Sequence, residues 1–333
     1  MATVEQRLRE LIKLYKDTAR AIDLELKTAL RTPAERFRQE EHLRQIRAYV
    51  ATLEAELKNR PTDLIGDAYK QGHDLSRIAL ERQGITLRAA NLTGGMHTGA
   101  IQVLSDSMLA DLVGGAESMK QRGIRLVRQT QQRALQERQI MQIIGRGVIE
   151  GETPQQVEKR LRDAIRKEVD EGAKIVIKGR KYDPDYYAEL VSRTMTRDAV
   201  MKGALNTGLD YDITLYQMSA HSNACTLCQS LQGKVYSVSG NDGWPKLPDP
   251  MLPHPNCEHV YVPFVLEAQD PDEVERLQAL SNQKTFIHNH ADLQRVMEGG
   301  QARKKPQIVD EDTKAEKRAK RKAQRDQAAK GVV

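Results

Sequence analysis

The chain has 333 residues, of which 39% are hydrophobic, 4% aromatic and 29% charged, and its formal net charge is +6. No apolar run approaches the roughly 20 residues that span a bilayer, and an odd count of three cysteines argues against a disulfide framework. We therefore expect a soluble, mostly α-helical protein of about two domains, with reduced thiols and no membrane partner. Its charged, helical start, MATVEQRLRELIKLY, does not resemble a signal peptide.

Residues 1–60 are predicted to form a helical hairpin. Apolar residues recur at helical spacing between residues 4 and 30, and again between residues 43 and 57, where they alternate three and four apart. Thr32-Pro33 is typical of a cap followed by the first residue of a helix, and Arg60-Pro61 ends the second helix. We interpret this seam as helix packing and give it no catalytic role.

Residues 61–172 are predicted to form a helical region that glycines interrupt. Gly84, Gly94-Gly95 and Gly114-Gly115 indicate breaks. Helices are expected over residues 98–113, 116–149 and 152–169. The helix over 116–149 has more basic than acidic residues, which we interpret as a solvated face rather than a nucleic-acid groove. Together with the hairpin, this region predicts an elongated helical N-terminal half.

Residues 173–268 are predicted to form a small α+β module. Short strands are expected at residues 174–178, 213–218, 234–238 and 260–265. A helix is expected over residues 183–207, where a proline follows the capping aspartate and Gly208 ends the pattern. The module would therefore pack one helix on a short sheet.

All three cysteines lie inside this module. Cys225 and Cys228 form a C-x-x-C pair, and His254, Cys257 and His259 follow a glycine- and proline-rich insert. A C-x-x-C turn places two thiolates on one side of a tight loop, and a second ligand cluster can then complete a tetrahedral zinc shell. This pattern predicts a zinc knuckle with the three cysteines as ligands and either His254 or His259 as the fourth ligand.

The predicted zinc is structural, because four protein ligands leave no open position for water. We therefore predict no catalytic residue. The alternative interpretation is that the three thiols are buried and inert, since free cysteine behaves as a small apolar residue.

Residues 269–333 are predicted to be helical at first and then to form a basic, disordered tail. Seven basic residues crowd a short stretch of it: Lys314, Lys317, Arg318, Lys320, Arg321, Lys322 and Arg325. Such a run can neutralise DNA phosphates regardless of sequence. A tail that only increases solubility is the alternative.

Three segments in this order, YYAELVSRTMTRDAV, MSAHSNACTLCQSLQGKVYSVSG and HPNCEHVYVPF, resemble the phage minor capsid protein 2 family, which is allied to the Mu F-like head morphogenesis proteins. The resemblance covers about residues 180–266. Members commonly carry arginine where this chain has Glu258. Relatives often carry cysteine in place of His259, an exchange that a zinc ligand tolerates. The resemblance therefore favours His259 as the fourth ligand, with His254 as the alternate.

What the resemblance implies is a structural virion protein without enzymatic activity, present in few copies. It would bind the portal protein inside the head and contact other capsid or scaffold proteins, after assembly in the host cytoplasm. It would assist head assembly and DNA packaging or delivery, with double-stranded DNA as a further, non-specific partner.

The alternative function is a zinc-containing DNA-binding or nucleolytic protein that acts on the phage genome. A zinc deaminase is excluded, because that site needs an upstream H-x-E and a P-C-x-x-C motif, whereas Ala224 precedes Cys225.

Overall fold

The computed structural model describes residues 3–29, 36–89, 92–144, 174–251, 253–254 and 257–305, with the backbone alone for residues 36–37 and 130–144. These residues divide into two compact units. The first is built from residues 3–71 and 92–199, and the second from residues 72–89 and 200–305.

Helices dominate the first unit. Its elements are α1 (Val4–Ala29), α2 (Arg36–Leu57), the first part of α3 (Arg60–Arg82), α4 (Gly95–Ile144), the hairpin of β1 (Ile175–Ile177) and β2 (Arg180–Tyr182), and the first part of α5 (Pro184–Leu209).

Helices α1 and α2 pack antiparallel. Glu25, near the end of α1, pairs with His42, near the start of α2. At the other end Arg60 lies 3.3 Å from Glu10. Buried apolar side chains fill the seam: Leu11, Tyr15, Ile22 and Leu26 from α1, and Leu43, Ile46, Val50, Leu53 and Leu57 from α2. The helical spacing in the sequence thus corresponds to apolar stripes on α1 and α2 that are buried against each other and against α4 (Gly95–Ile144), where a Cβ on Gly123 would lie 3.3 Å from Ile46 and 3.4 Å from Ile22.

Helix α4 continues through Gly114 and Gly115, so the predicted break at this pair is wrong. Gly115 is required for close packing and not for a turn. A Cβ at this position would lie 2.4 Å from Cε1 of Tyr187. The Tyr187 hydroxyl donates to the carbonyl oxygen of Asp111 on the preceding turn of α4, at 2.9 Å. A glycine pair in a sequence does not distinguish a helix break from a close approach of another element.

In the second unit, the last part of α3 packs against the last part of α5. The Ser76 hydroxyl donates to the carbonyl oxygen of Ala204 at 2.8 Å, and Nδ1 of His73 lies 2.7 Å from the Thr207 hydroxyl. Helix α3 ends at Arg82, and Gly84 follows with φ +80°, the conformation that commonly terminates a helix.

The centre of the second unit is a three-stranded antiparallel sheet in the order β4–β3–β5. Its strands are β3 (Leu215–Met218), β4 (Val235–Ser237) and β5 (Tyr261–Pro263), and the one-turn helix α6 (Thr226–Gln229) lies between β3 and β4. Gln217 of the central strand pairs with Val235 on one side and Val262 on the other. The end of β3 and the starts of β4 and β5 therefore lie at the same edge of the sheet.

The two faces of this sheet pack on different cores, as strand alternation requires. Tyr216 and Met218 pack with Met201 of α5 and with the buried sulfurs of Cys228 and Cys257. The opposite face packs on α7 (Pro271–Asn282) and α8 (His290–Met297) through a second apolar cluster: Leu215, Val235, Trp244, Phe264, Leu277, Leu280, Ile287, Leu293 and Val296.

The prediction of a mostly α-helical chain, with a helical N-terminal half and a small α+β module that carries a Cys/His cluster, is confirmed. The predicted helix over residues 152–169 and the basic tail lie outside the described residues, and the predicted domain boundaries remain predictions. Among the helices that the structure describes, none has the length and apolarity of a bilayer span.

Candidate metal centre

The cysteines and two histidines gather at the edge of the sheet where β3 ends. Beyond β3 the chain reaches the one-turn helix α6 (Thr226–Gln229), whose N-cap is Cys225. The backbone amide of Cys228 donates a hydrogen bond to the sulfur of Cys225 at 3.5 Å, which is typical of a zinc knuckle. On the other side of the insert, the Cys257 amide donates to the carbonyl oxygen of His254 at 3.0 Å, which bends the chain back toward β5.

Five predicted ligands form two groups that share Cys228. Cys225, Cys228 and His254 make one group, and Cys228, Cys257 and His259 make the other; within each, the donor atoms lie within 4.8 Å of one another. All three members of the second group are buried, whereas Cys225 is exposed and His254 is half-buried. The group of Cys228, Cys257 and His259 could hold a metal ion.

Within each of the two groups, the donor-atom distances match those between two ligands of one tetrahedral ion, and only Cys228 is common to both groups. Two ligands of tetrahedral zinc lie about 3.8 Å apart when both are sulfur, and about 3.5 Å apart when one is an imidazole nitrogen. The sulfurs of Cys228 and Cys257 are 3.9 Å apart, and Nδ1 of His259 lies 3.4 Å from the Cys257 sulfur. In the other group, Nε2 of His254 lies 3.4 Å from the Cys225 sulfur and 3.1 Å from the Cys228 sulfur. Thiolate and imidazole are also the donors that zinc prefers.

The pKa values of the two buried thiols are shifted in opposite directions. A hydrogen bond from the Cys228 thiol lowers the pKa of Cys257 to about 4. The same contact with Cys257 raises the pKa of Cys228, and burial adds to the increase. The two thiols therefore titrate as a coupled pair in which Cys257 ionises before Cys228, and a bound cation would favour ionisation of both.

Two polar residues of the site carry no metal-ligand pattern in the sequence. The Ser219 hydroxyl accepts a hydrogen bond from the Val260 amide at 3.1 Å, which joins the end of β3 to the start of β5. Gln232 is fully buried, and its Oε1 lies 2.7 Å from Nε2 of His259. Ser219 and His221 belong to the S-x-H motif of the resemblance. Gln232 also lies in a segment that carries the resemblance, but no ligand spacing distinguishes it.

The predicted DNA-binding residues Lys314, Lys317, Arg318, Lys320, Arg321, Lys322 and Arg325 lie outside the described residues.

Comparison with known proteins gives one family. The family model for phage minor capsid protein 2 matches residues 104–331, which is more than half of the chain and includes every predicted metal ligand. No curated protein and no solved structure matches the chain at a significant level. The chain belongs to the phage minor capsid protein 2 family, and it is accordingly a structural protein of the virion that contacts other proteins of the phage head.

Proposed function

We propose that this chain is a low-copy minor head protein that binds the portal protein inside the capsid and assists head assembly and DNA packaging or delivery. The observation that carries this proposal is the family match over residues 104–331. The packed helices of the first unit support it, since exposed helical faces are suited to docking on a helical partner.

The second unit is held together, in this proposal, by one structural zinc ion. Cys225, Cys228, Cys257 and His259 are the proposed ligands, with His254 as the alternate. The role of the ion would be mechanical. It would join α6 to the segment that leads into β5, and a shell filled by four protein ligands would leave no position for an activated water.

The basic tail is proposed to contact packaged double-stranded DNA without sequence preference. Its seven basic residues between Lys314 and Arg325, and the formal charge of +6 on the whole chain, support this contact.

The proposal is tested by expressing the chain with the portal protein of the same phage and purifying portal rings. We expect the chain to co-purify with the rings at a low ratio, and we expect a matched sample of major capsid protein alone to retain less of it. Recovery of the chain with the major capsid protein but not with portal rings would overturn the portal assignment.

A nucleolytic role would give a different result in the same preparation. Incubation with double-stranded DNA and zinc should leave the DNA intact. Cleavage that disappears in both His254→Ala and His259→Ala would replace the structural role of the centre with a catalytic one.

A further inference from the structure

Gln232 occupies the turn between α6 and β4, directly beside the candidate metal centre. Its side chain is 0% exposed. Its backbone amide donates to the carbonyl oxygen of Cys228 at 2.8 Å, so its position is tied to that of a proposed ligand.

Backbone partners fix which way the Gln232 amide points. Its Oε1 accepts from the His221 amide at 2.8 Å. Its Nε2 donates to the carbonyl oxygens of Ile287 at 2.5 Å and His221 at 3.3 Å. A backbone amide can only donate and a carbonyl can only accept, so a flipped side chain would oppose all three contacts.

This orientation determines the tautomer of His259. Oε1 of Gln232 is an acceptor that lies 2.7 Å from Nε2 of His259, so Nε2 must carry the hydrogen. A neutral imidazole has one N–H, and Nδ1 is therefore left with a free lone pair. Nδ1 is the nitrogen that lies 3.4 Å from the Cys257 sulfur. The His221 ring, nearly perpendicular at 81° with its centroid 4.6 Å away, packs against the same imidazole.

We infer that Gln232 is the positioning residue that presents Nδ1 of His259 to the metal, and that it thereby selects His259 over His254 as the fourth ligand. The inference rests on the proposed zinc centre. Outer partners of this kind orient a ligating histidine and raise its basicity, and their loss typically costs about 10- to 100-fold in metal affinity.

His254 lacks this support. It approaches two sulfurs through Nε2, but among the described residues no group is placed to hold its other ring nitrogen. Its side chain is also half-buried, whereas His259 is 3% exposed. A ring that is fixed before binding loses less conformational entropy when it becomes a ligand.

The first test reads the tautomer directly. In the reduced full-length protein with ¹⁵N-labelled histidine, two-bond ¹⁵N–¹H correlation spectra should show His259 with the hydrogen on Nε2, both before and after zinc is added. A hydrogen on Nδ1 in the zinc-free protein would overturn the inference, whether or not the protein binds zinc.

The second test asks whether Gln232 acts through His259. Zinc affinity is measured by competition with a chromophoric chelator for the wild type and for Gln232→Leu, and the pair is repeated with His254→Ala and with His259→Cys as background. We expect about a 10- to 100-fold loss from Gln232→Leu in the wild type and in His254→Ala. We expect little or no loss in His259→Cys, because a sulfur ligand has no ring to orient.

Each remaining outcome has one meaning. An equal loss in the His259→Cys background would make Gln232 a general structural residue and contradict the inference. A larger loss of zinc affinity from His254→Ala than from His259→Ala would make His254 the ligand. If the wild type binds no zinc, the proposed metal centre fails, while the spectra of the zinc-free protein still decide the orientation of His259. They would also decide it if Gln232→Leu does not fold.

Discussion

Gly72 of α3 lies so close to Val200 of α5 that a Cβ at position 72 would be 1.9 Å from the Val200 carbonyl oxygen. The obstacle is backbone, which cannot rotate away as a side chain would. Gly72→Ala should therefore lower the free energy of unfolding by about 3 kcal/mol, the upper range of overpacking.

Chemical denaturation of Gly72→Ala beside Gly66→Ala measures this effect. Gly66 lies in the same helix, and a Cβ added there would meet nothing within 4 Å. Gly66→Ala should gain up to about 1 kcal/mol from the higher helix propensity of alanine. Similar stability of the two variants would show that the helices do not approach closely at Gly72.

A second glycine pair isolates the contact between α4 and Tyr187. Gly115→Ala should destabilise the protein by about 1–2 kcal/mol, because the overpacking of the tyrosine ring exceeds the gain in helix propensity. Gly114→Ala, with nothing within 4 Å, should be neutral or stabilising. Thermal unfolding followed by far-UV circular dichroism distinguishes the two, and a stabilised Gly115→Ala would contradict the close packing of Tyr187 on α4.

Lys234 should make the stability of the second unit depend on pH in the alkaline range. Its ammonium donates to the carbonyl oxygen of Gln283 at 2.7 Å, and burial lowers its pKa to about 8. The unfolded value is about 10.4. Below the folded value both states hold the proton, and the folded state bears the full cost of the buried charge. Between the two values the unfolded state binds more protons, so stability rises with pH.

Lys234→Met removes this titration. The difference in unfolding free energy between the wild type and Lys234→Met should change in favour of the wild type between about pH 8 and about pH 10. Lys284→Met, at an exposed lysine, should show no such change. A difference that is constant over this range would show that Lys234 is not desolvated.

Metal removal should affect the two units unequally. Trp244 is the only tryptophan of the chain and is buried in the second unit, so its fluorescence reports on that unit alone. A strong chelator should shift its emission to longer wavelength while most of the helical circular dichroism persists, because metal binding contributes to the folding of a small metal-containing unit.

The variants Cys225→Ser and Cys257→Ser should show the same red-shifted emission without the chelator. Equal loss of helix throughout the chain would contradict independent folding of the N-terminal helices. An unchanged tryptophan spectrum would indicate that packing alone holds the module.

The basic tail should make DNA binding strongly dependent on salt. The logarithm of the affinity falls linearly with the logarithm of salt concentration, with a slope of about −0.9 for each phosphate neutralised. Replacing the seven basic residues between Lys314 and Arg325 with glutamine should therefore reduce the slope by up to about 6. Fluorescence anisotropy with duplexes of unrelated sequence measures it, and an unchanged slope would assign DNA binding elsewhere.

Local patterns predicted the elements of this fold well. The spacing of apolar residues identified α1, α2 and α5, and the β-branched and aromatic runs identified β1, β3, β4 and β5. These signals succeed because they depend on neighbours in the same element. The predicted helix break at Gly115 was wrong because glycine is needed there for the Tyr187 ring, which lies on a different helix and far away in the sequence.

The candidate site shows the same division. Ligand chemistry and spacing were sufficient to gather Cys225, Cys228 and Cys257 with two histidines. In our proposal, the choice between the histidines depends on a hydrogen bond between Gln232 and His259, which are 27 residues apart. No local pattern encodes such a contact, because it forms only when the turn before β4 and the segment before β5 meet at one edge of the sheet.

The contact between the sulfurs of Cys228 and Cys257 brings together the two ends of the segment between them, although these residues are 29 positions apart in the sequence. This closure affects how the segment can change in evolution. An ion held there would act as a removable cross-link. The entropy of closing a flexible loop grows only with the logarithm of its length, so each doubling costs about 0.6 kcal/mol. Because β4 and the buried Trp244 also lie in this segment, the low cost applies to its exposed residues 241–243 and 249–250, where new surface can be inserted while the sheet keeps its place.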